Sequence, residues 1–145
     1  MKLSIFKETT ARVPAARLRQ LFEIVSRTEA PRQSGEVNLV FTTDAGMRRL
    51  NRQYRNLDKT TDVLSFNLDE PDHDGETFGE VYISVTRAHR QAEQYGHSRY
   101  QEYLRLTCHG LLHLFGYDHE KQAEQKRMQT REDKYLTAVR EANKR

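Results

Sequence analysis

The chain has 145 residues, of which 36% are hydrophobic and 31% are charged, and its formal net charge is +3. This length predicts one domain, residues 1–145, whose core is large enough to fold unaided. The single cysteine excludes an intramolecular disulfide, and the absence of an apolar run of about 20 residues excludes a membrane span. The sequence also shows no secretion signal, so we expect a cytoplasmic protein.

Hydrophobic periodicity predicts strands and helices that alternate without internal repeats. In chain order, the first predicted elements are a strand at 2–7, a helix opened by Pro14, a strand at 36–42 and a helix from Asp44. Two strands follow at 63–66 and 80–85. Three helices complete the chain: one at 86–95, one that begins after the capping box of Ser98 and Gln101, and one from about 122 to 143. The two strands around the polar loop 69–77 favour a long hairpin. These elements predict an α+β fold, in which several helices pack against a small mixed sheet.

The most specific motif is His-Gly-Leu-Leu-His-Leu-Phe-Gly-Tyr-Asp-His at residues 109–119. Residues four apart in a helix lie about 40° apart around its axis, so His109 and His113 project from one face. Gly116 is placed to end the helix in a left-handed turn that brings His119 round as a third imidazole. Three neutral nitrogens suit Zn²⁺ and leave its fourth position for water, which predicts one catalytic zinc ion per chain.

The metzincin proteases use the same histidine spacing, but in them a glutamate follows the first histidine and acts as general base. Here that residue is Gly110. A metalloprotease without this carboxylate has no obvious group to deprotonate its attacking water. The motif therefore predicts a metal site while it disfavours a peptidase.

In this eleven-residue motif the chain resembles the YbeY family of bacterial ribosomal RNA maturation factors. A second matching signature is Leu-Asn-Arg-Gln-Tyr-Arg at 50–55, followed by Thr-Asp-Val-Leu-Ser-Phe at 61–66. The resemblance implies the same fold and a zinc-dependent, single-strand-specific endoribonuclease that acts in ribosomal RNA maturation and ribosome quality control. It also implies as partners single-stranded RNA, precursor ribosomal RNA and the small ribosomal subunit. One departure is Glu80, where the family more often has aspartate, and we assign no catalytic role to it.

The resemblance also implies further site residues. In the family's second signature the arginine after the tyrosine belongs to the active cleft, and Arg55 occupies that position. We expect its planar guanidinium to bind phosphate oxygens, with a surface or structural salt bridge as the alternative. Ser65 either bonds the substrate backbone or caps the sheet. Arg52, one turn before Arg55, is expected to contribute to substrate binding.

The distribution of charge bears on the substrate. Residues 44–59 contain five basic and two acidic side chains, which indicates either a helix that follows phosphates or a solvated helix face. Residues 60–86 contain seven acidic side chains and no Lys or Arg. This acidic stretch, from Asp62 to Glu80, either turns away from RNA or lies over the metal.

Two other classes of function stay open. One is a noncatalytic ribosome-assembly factor with structural zinc, and the other is a different metallohydrolase, such as an atypical metallopeptidase. A structural zinc site usually has four protein ligands, but Cys108 points about 100° away from His109 around the helix and is expected to be a core thiol. The three-ligand site therefore favours an enzyme.

Overall fold

In a computed structural model, which describes residues 1–68, 77–117 and 120–144, the chain forms a sheet packed with helices. The strands are β1 (Lys2–Lys7), β2 (Glu36–Thr42), β3 (Val63–Asn67) and β4 (Thr77–Ser84). The helices are α1 (Ala15–Glu29), α2 (Asp44–Arg55), α3 (Val85–Tyr95), α4 (Arg99–Leu114) and α5 (Gln122–Ala142). The predicted elements are confirmed, except that β4 begins three residues earlier and Val85 opens α3 instead of ending a strand. None of these helices combines the length and apolar composition that crossing a bilayer requires.

The sheet is mixed, as predicted. Its strand order is β1-β2-β4-β3, with β1, β2 and β4 parallel and β3 antiparallel to β4. The predicted hairpin is confirmed, because Val63 pairs with Ile83 and Asn67 pairs with Gly79. This order leaves β3 at one end of the sheet, beside the carboxyl-terminal half of α4.

Helix α4 lies at the centre of the fold, between the sheet and the helices α1 and α5. Gly110 lets it approach the sheet closely, since a Cβ atom there would lie 2.6 Å from Cγ1 of Val81. The hydroxyl of Ser65 on β3 donates a hydrogen bond to the Gly110 carbonyl at 2.9 Å. The glycine that stands where metzincins have their glutamate is therefore a packing residue.

The end of α4 follows the prediction for Gly116, whose φ of 102° lies in the left-handed region. The Tyr117 amide donates back to the Leu112 carbonyl at 3.0 Å and closes this turn. Beyond it, the Tyr117 hydroxyl donates to Glu29 of α1 at 2.9 Å, and the Tyr135 hydroxyl of α5 donates to the same carboxylate. The chain that leaves α4 is thus attached to two other helices. Residues 118–119, which include His119, lie outside the described residues.

Candidate active site

His109 and His113 lie side by side on α4, as their spacing predicted. Their Nε2 atoms are 3.2 Å apart and their ring centroids are 4.7 Å apart. Two ligands of one tetrahedral Zn²⁺, each about 2.0–2.1 Å from the metal, place their nitrogens about 3.3 Å apart. The pair therefore fits two positions of a zinc site. Within the described residues no group of three His, Cys, Asp or Glu side chains is placed to hold a metal, and the predicted third ligand, His119, is not among them.

Glu132 of α5 orients the first of these imidazoles. Its side chain is 4% exposed, and its Oε1 atom lies 2.5 Å from Nδ1 of His109. An ionised carboxylate only accepts hydrogen bonds, so Nδ1 carries the proton and Nε2 keeps its lone pair toward His113. Histidines that bind metals typically donate their other ring N–H to such a carboxylate. This contact supports the interpretation of the pair as metal ligands.

Glu132 is not among the predicted site residues, since it lies 23 residues after His109 on another helix. A signal for it was present in α5, where the buried residues are Met128, Glu132, Tyr135 and Val139. Their spacing is that of one inward helix face, and a carboxylate on such a face needs a buried partner. The position of α5 against α4 determines which partner that is, and the local sequence does not encode this position.

We expect Glu132→Ala to weaken the affinity for Zn²⁺ by about 10–100-fold, because His109 loses the group that fixes its tautomer and ring orientation. Glu132→Gln keeps the volume and one acceptor and should give a smaller loss. Competition with a chromophoric chelator measures the affinity without reference to activity. Asp133→Asn, at the exposed neighbouring position of α5, is the matched control. Wild-type affinity in Glu132→Ala would contradict this role.

The two imidazoles open into a cavity of about 490 Å³, which we call the histidine cavity. Its walls come from α4, β3, the end of α2 and the segment 56–62. The lining residues are Asn51, Arg55, Leu57, Lys59, Thr61, Asp62, Val63, Leu64, Ser65, Asn67, His109, His113 and Leu114. Asn56 ends α2 in the left-handed conformation at φ 57°, and the buried Asn51 side chain donates to the Lys59 carbonyl at 2.8 Å. These two residues hold the segment against the cavity.

Arg55 lines the histidine cavity, and no part of the chain that the structure describes offers it a hydrogen bond or an ion pair. Two other arginines of the same helix are paired, since Arg48 and Arg52 contact Asp58 at 2.8 Å and 3.1 Å. The hydrogen bond from Arg48 lowers the pKa of the Asp58 carboxyl, which keeps this group charged. Arg52 does not line the cavity. Arg55 is therefore the arginine of α2 that lines the same cavity as the two imidazoles, and its guanidinium has no partner among the described residues.

Ser65 and Asp62 lie at the wall of the same cavity. Ser65 uses its hydroxyl hydrogen on the Gly110 carbonyl, and its oxygen keeps lone pairs toward the cavity. Asp62 accepts hydrogen bonds from the Val63 amide at 2.8 Å and from the Gln91 side chain at 3.2 Å. The acidic stretch thus begins at the cavity. At its other end, Glu80 accepts a hydrogen bond from Tyr82 at 3.3 Å, and residues 69–76 lie outside the described part of the chain.

Cys108, His89 and His97 contact other groups of the fold outside the histidine cavity. Cys108 is buried, and this burial raises the pKa of its thiol, as expected for a core residue. His89 and His97 are partly buried, and each has a polar partner: His89 contacts the Tyr103 hydroxyl at 2.6 Å and His97 contacts Glu102 at 2.7 Å. Burial lowers the pKa of His89. Neither of these histidines lines the histidine cavity.

Comparison with known proteins gives matches over most of the chain. The family model described as Endoribonuclease YbeY matches residues 5–140. Relatives with that description include proteins of Heliobacterium modesticaldum (42% identical, covering 79% of this chain and 76% of the relative), Pelotomaculum thermopropionicum (46%, covering 77% of each) and Bacillus licheniformis (37%, covering 89% of each). The solution structure of a Thermotoga maritima protein aligns with a TM-score of 0.65 and 29% identity, covering 94% of this chain and 88% of that one. The family resemblance predicted from the two signatures is confirmed.

Proposed function

The chain belongs to the YbeY endoribonuclease family, and from this premise we propose that it is a zinc-dependent endoribonuclease that cleaves single-stranded segments of precursor ribosomal RNA. The observation that carries the proposal is the arrangement of the histidine cavity. Two imidazole nitrogens converge there at 3.2 Å, and the Arg55 side chain lines the same cavity. A metal site beside an available guanidinium suits the cleavage of a phosphodiester.

His109, His113 and His119 would hold one Zn²⁺ per chain. When bound, the ion supplies a Lewis acid that activates water and polarises a phosphoryl oxygen. Glu132 favours the tautomer of His109 with the proton on Nδ1, so the lone pair of Nε2 would be the one that binds the metal. The turn at Gly116 and Tyr117 is anchored to Glu29, and His119 follows Tyr117 two residues later in the sequence.

Arg55 binds the phosphate in this proposal. A guanidinium offers two parallel N–H donors to a pair of non-bridging oxygens, and its charge offsets the negative charge that grows in the transition state. Arg55 has no ion pair with any described residue, so the binding of a phosphate does not require an existing pair to break.

Two weaker substrate contacts complete the proposed site. Ser65 can accept a hydrogen bond from the RNA, for example from a 2′-hydroxyl, while its own hydrogen stays on the Gly110 carbonyl. Arg52 is 64% exposed and pairs with Asp58 at the surface. Solvent screens an ion pair between two exposed side chains, so a phosphate can compete for this arginine.

The function is tested with zinc-loaded protein, a defined single-stranded RNA, and the same sequence in a duplex. We expect the single strand to be cut and the duplex to be resistant, with activity abolished by a chelator and restored by Zn²⁺. The Arg55→Ala protein, purified in parallel, reports contaminating nucleases. A zinc-loaded protein that binds RNA without cutting it would indicate a noncatalytic assembly factor, and cleavage of a peptide but not RNA would indicate a metallopeptidase.

The natural RNA substrate is identified by measuring which precursor RNA accumulates in cells that lack the activity. We propose precursor ribosomal RNA, in association with the small ribosomal subunit, because the family consists of endoribonucleases and the resemblance implies ribosomal RNA maturation. Cells that lack the activity should accumulate uncut precursor, and the catalytically impaired Arg55→Ala protein should not relieve this accumulation. Normal precursor levels in such cells would contradict this choice of substrate.

A further inference from the structure

One face of α4 stays open along most of the helix. Between Gln101 and Leu114, the residues that are not buried are Gln101, Arg105, His109 and His113. They are spaced by four, so they form one continuous row, which we call the α4 strip. A helix rises about 1.5 Å per residue, so the strip is about 18 Å long. Its carboxyl-terminal half belongs to the histidine cavity.

The other half of the strip opens into a second cavity, of about 410 Å³, which we call the α4–α5 cavity. It lies where the beginnings of α1 and α4 meet the end of α5. The lining residues are Arg17, His97, Gln101, Leu104, Arg105, Leu136, Val139, Arg140, Asn143 and Lys144. Helix α5 borders both halves of the strip, because Glu132 contacts His109 and Leu136 lines the second cavity. The two cavities are therefore neighbours along one helix.

The α4–α5 cavity is cationic. Four of its lining residues are Arg or Lys, and none of those that the structure describes is Asp or Glu. Beneath it, the fully buried carboxylate of Glu102 holds Arg105 at 2.6 Å and His97 at 2.7 Å. Arg17 and Arg140 are exposed, and neither guanidinium has a hydrogen bond or ion pair with any described residue. The two free guanidiniums make the cavity a site for an anion.

The cavity also has an apolar surface. Leu104 and Val139 are buried and Leu136 is partly buried, and all three line it. A small inorganic anion would leave this surface without a partner. A nucleotide unit satisfies both parts of the cavity, because its base covers apolar side chains while its phosphate binds Arg or Lys.

We propose that the α4–α5 cavity binds single-stranded RNA beside the cut, so that one strand follows the α4 strip from the histidine cavity to Arg17 and Arg140. This inference rests on the proposed function. A stacked strand advances about 3.4 Å per nucleotide, so the strip of about 18 Å corresponds to about five nucleotides. The enzyme therefore recognises a stretch of unpaired RNA longer than the cleaved bond requires.

The test compares the wild type with the double variant Arg17→Ala/Arg140→Ala on single-stranded oligonucleotides of about 3 and about 12 nucleotides. The short RNA occupies the histidine cavity alone, whereas the long RNA also reaches the second cavity. The plot of log affinity against log salt has a negative slope, and each phosphate contact on a single strand contributes about 0.7 to its magnitude. For the long RNA, we therefore expect the slope of the double variant to be shallower than that of the wild type by about 1.4. The long RNA should therefore lose most of its advantage in affinity over the short one. Arg27→Ala/Arg32→Ala removes the same charge from exposed positions outside both cavities and should leave this advantage unchanged.

The outcomes separate this inference from the proposed function. If zinc-loaded wild type neither binds nor cuts either RNA, the proposed function fails. If it cuts both, and the double variant keeps the wild-type slope and length advantage, RNA cleavage stands and the second RNA site is wrong. If instead the double variant loses affinity for a polyglutamate peptide while it binds long RNA normally, the cavity takes an acidic protein segment and the inference is also wrong.

Discussion

His113→Ala is expected to abolish metal binding and reduce RNA cleavage to the level of a protein-free control, while RNA binding at low salt is retained. The substitution removes one of the two nitrogens that converge at 3.2 Å, and a zinc site left with two imidazoles has lost a third of its predicted ligands. Binding persists because it depends on Arg55 and the other cations, whose positions do not require the metal. Elemental analysis of the purified protein and gel-based cleavage assays measure the two losses. His119→Ala should behave in the same way.

Zinc-dependent stability distinguishes a lost ligand from a damaged fold. A metal that binds the folded state alone raises the melting temperature as its concentration rises. We expect this rise in the wild type and in His89→Ala, whose imidazole pairs with Tyr103 outside the histidine cavity. In His113→Ala the melting temperature should be independent of Zn²⁺, with an unchanged circular dichroism spectrum. Stoichiometric zinc in both His113→Ala and His119→Ala would show that the ligands are wrongly assigned.

The parts of the fold that sequence predicted well are those that short segments encode. The capping box of Ser98 and Gln101 is present at the start of α4, and Gly116 has the positive φ expected where this helix ends. Both features depend on residues within one turn of the helix end, so no knowledge of the tertiary fold is needed. The same holds for His109 and His113, because helical spacing alone places them on one face.

The features that sequence analysis did not predict arise where distant elements meet. Asp58 contacts both Arg48 and Arg52, so two of the basic residues of α2 share one carboxylate in the folded protein. Glu132 becomes the partner of His109 only because α5 packs against α4. The sequence shows that Gly110 lacks the metzincin carboxylate, and only the fold shows that it allows the close approach of α4 to Val81. In each case the local pattern shows the residue type, and the packing of the helices and sheet determines its partner.

Arg55→Ala is expected to lower kcat for RNA cleavage by at least about 100-fold, with fold and zinc content unchanged. A preorganised donor aimed at developing charge is typically worth about 10²–10³ in kcat, and more for an arginine that acts on a transferred phosphoryl group. Because the described residues offer Arg55 no hydrogen bond or ion pair, its removal leaves no buried carboxylate unpaired and should cost little stability. Single-turnover cleavage of a defined RNA measures the effect directly on the chemical step.

Arg55→Lys should recover only part of this loss, because an ammonium keeps the charge but cannot present two parallel donors to a phosphate. Arg52→Ala is expected to raise KM more than it lowers kcat, since Arg52 lies outside the histidine cavity and pairs with Asp58. Arg90→Ala, which removes an exposed arginine from α3, controls for net charge and should cleave at the wild-type rate. If the Arg55→Ala protein retains wild-type kcat with full zinc content, the phosphate is stabilised by other groups and Arg55 serves only the structure of the cavity.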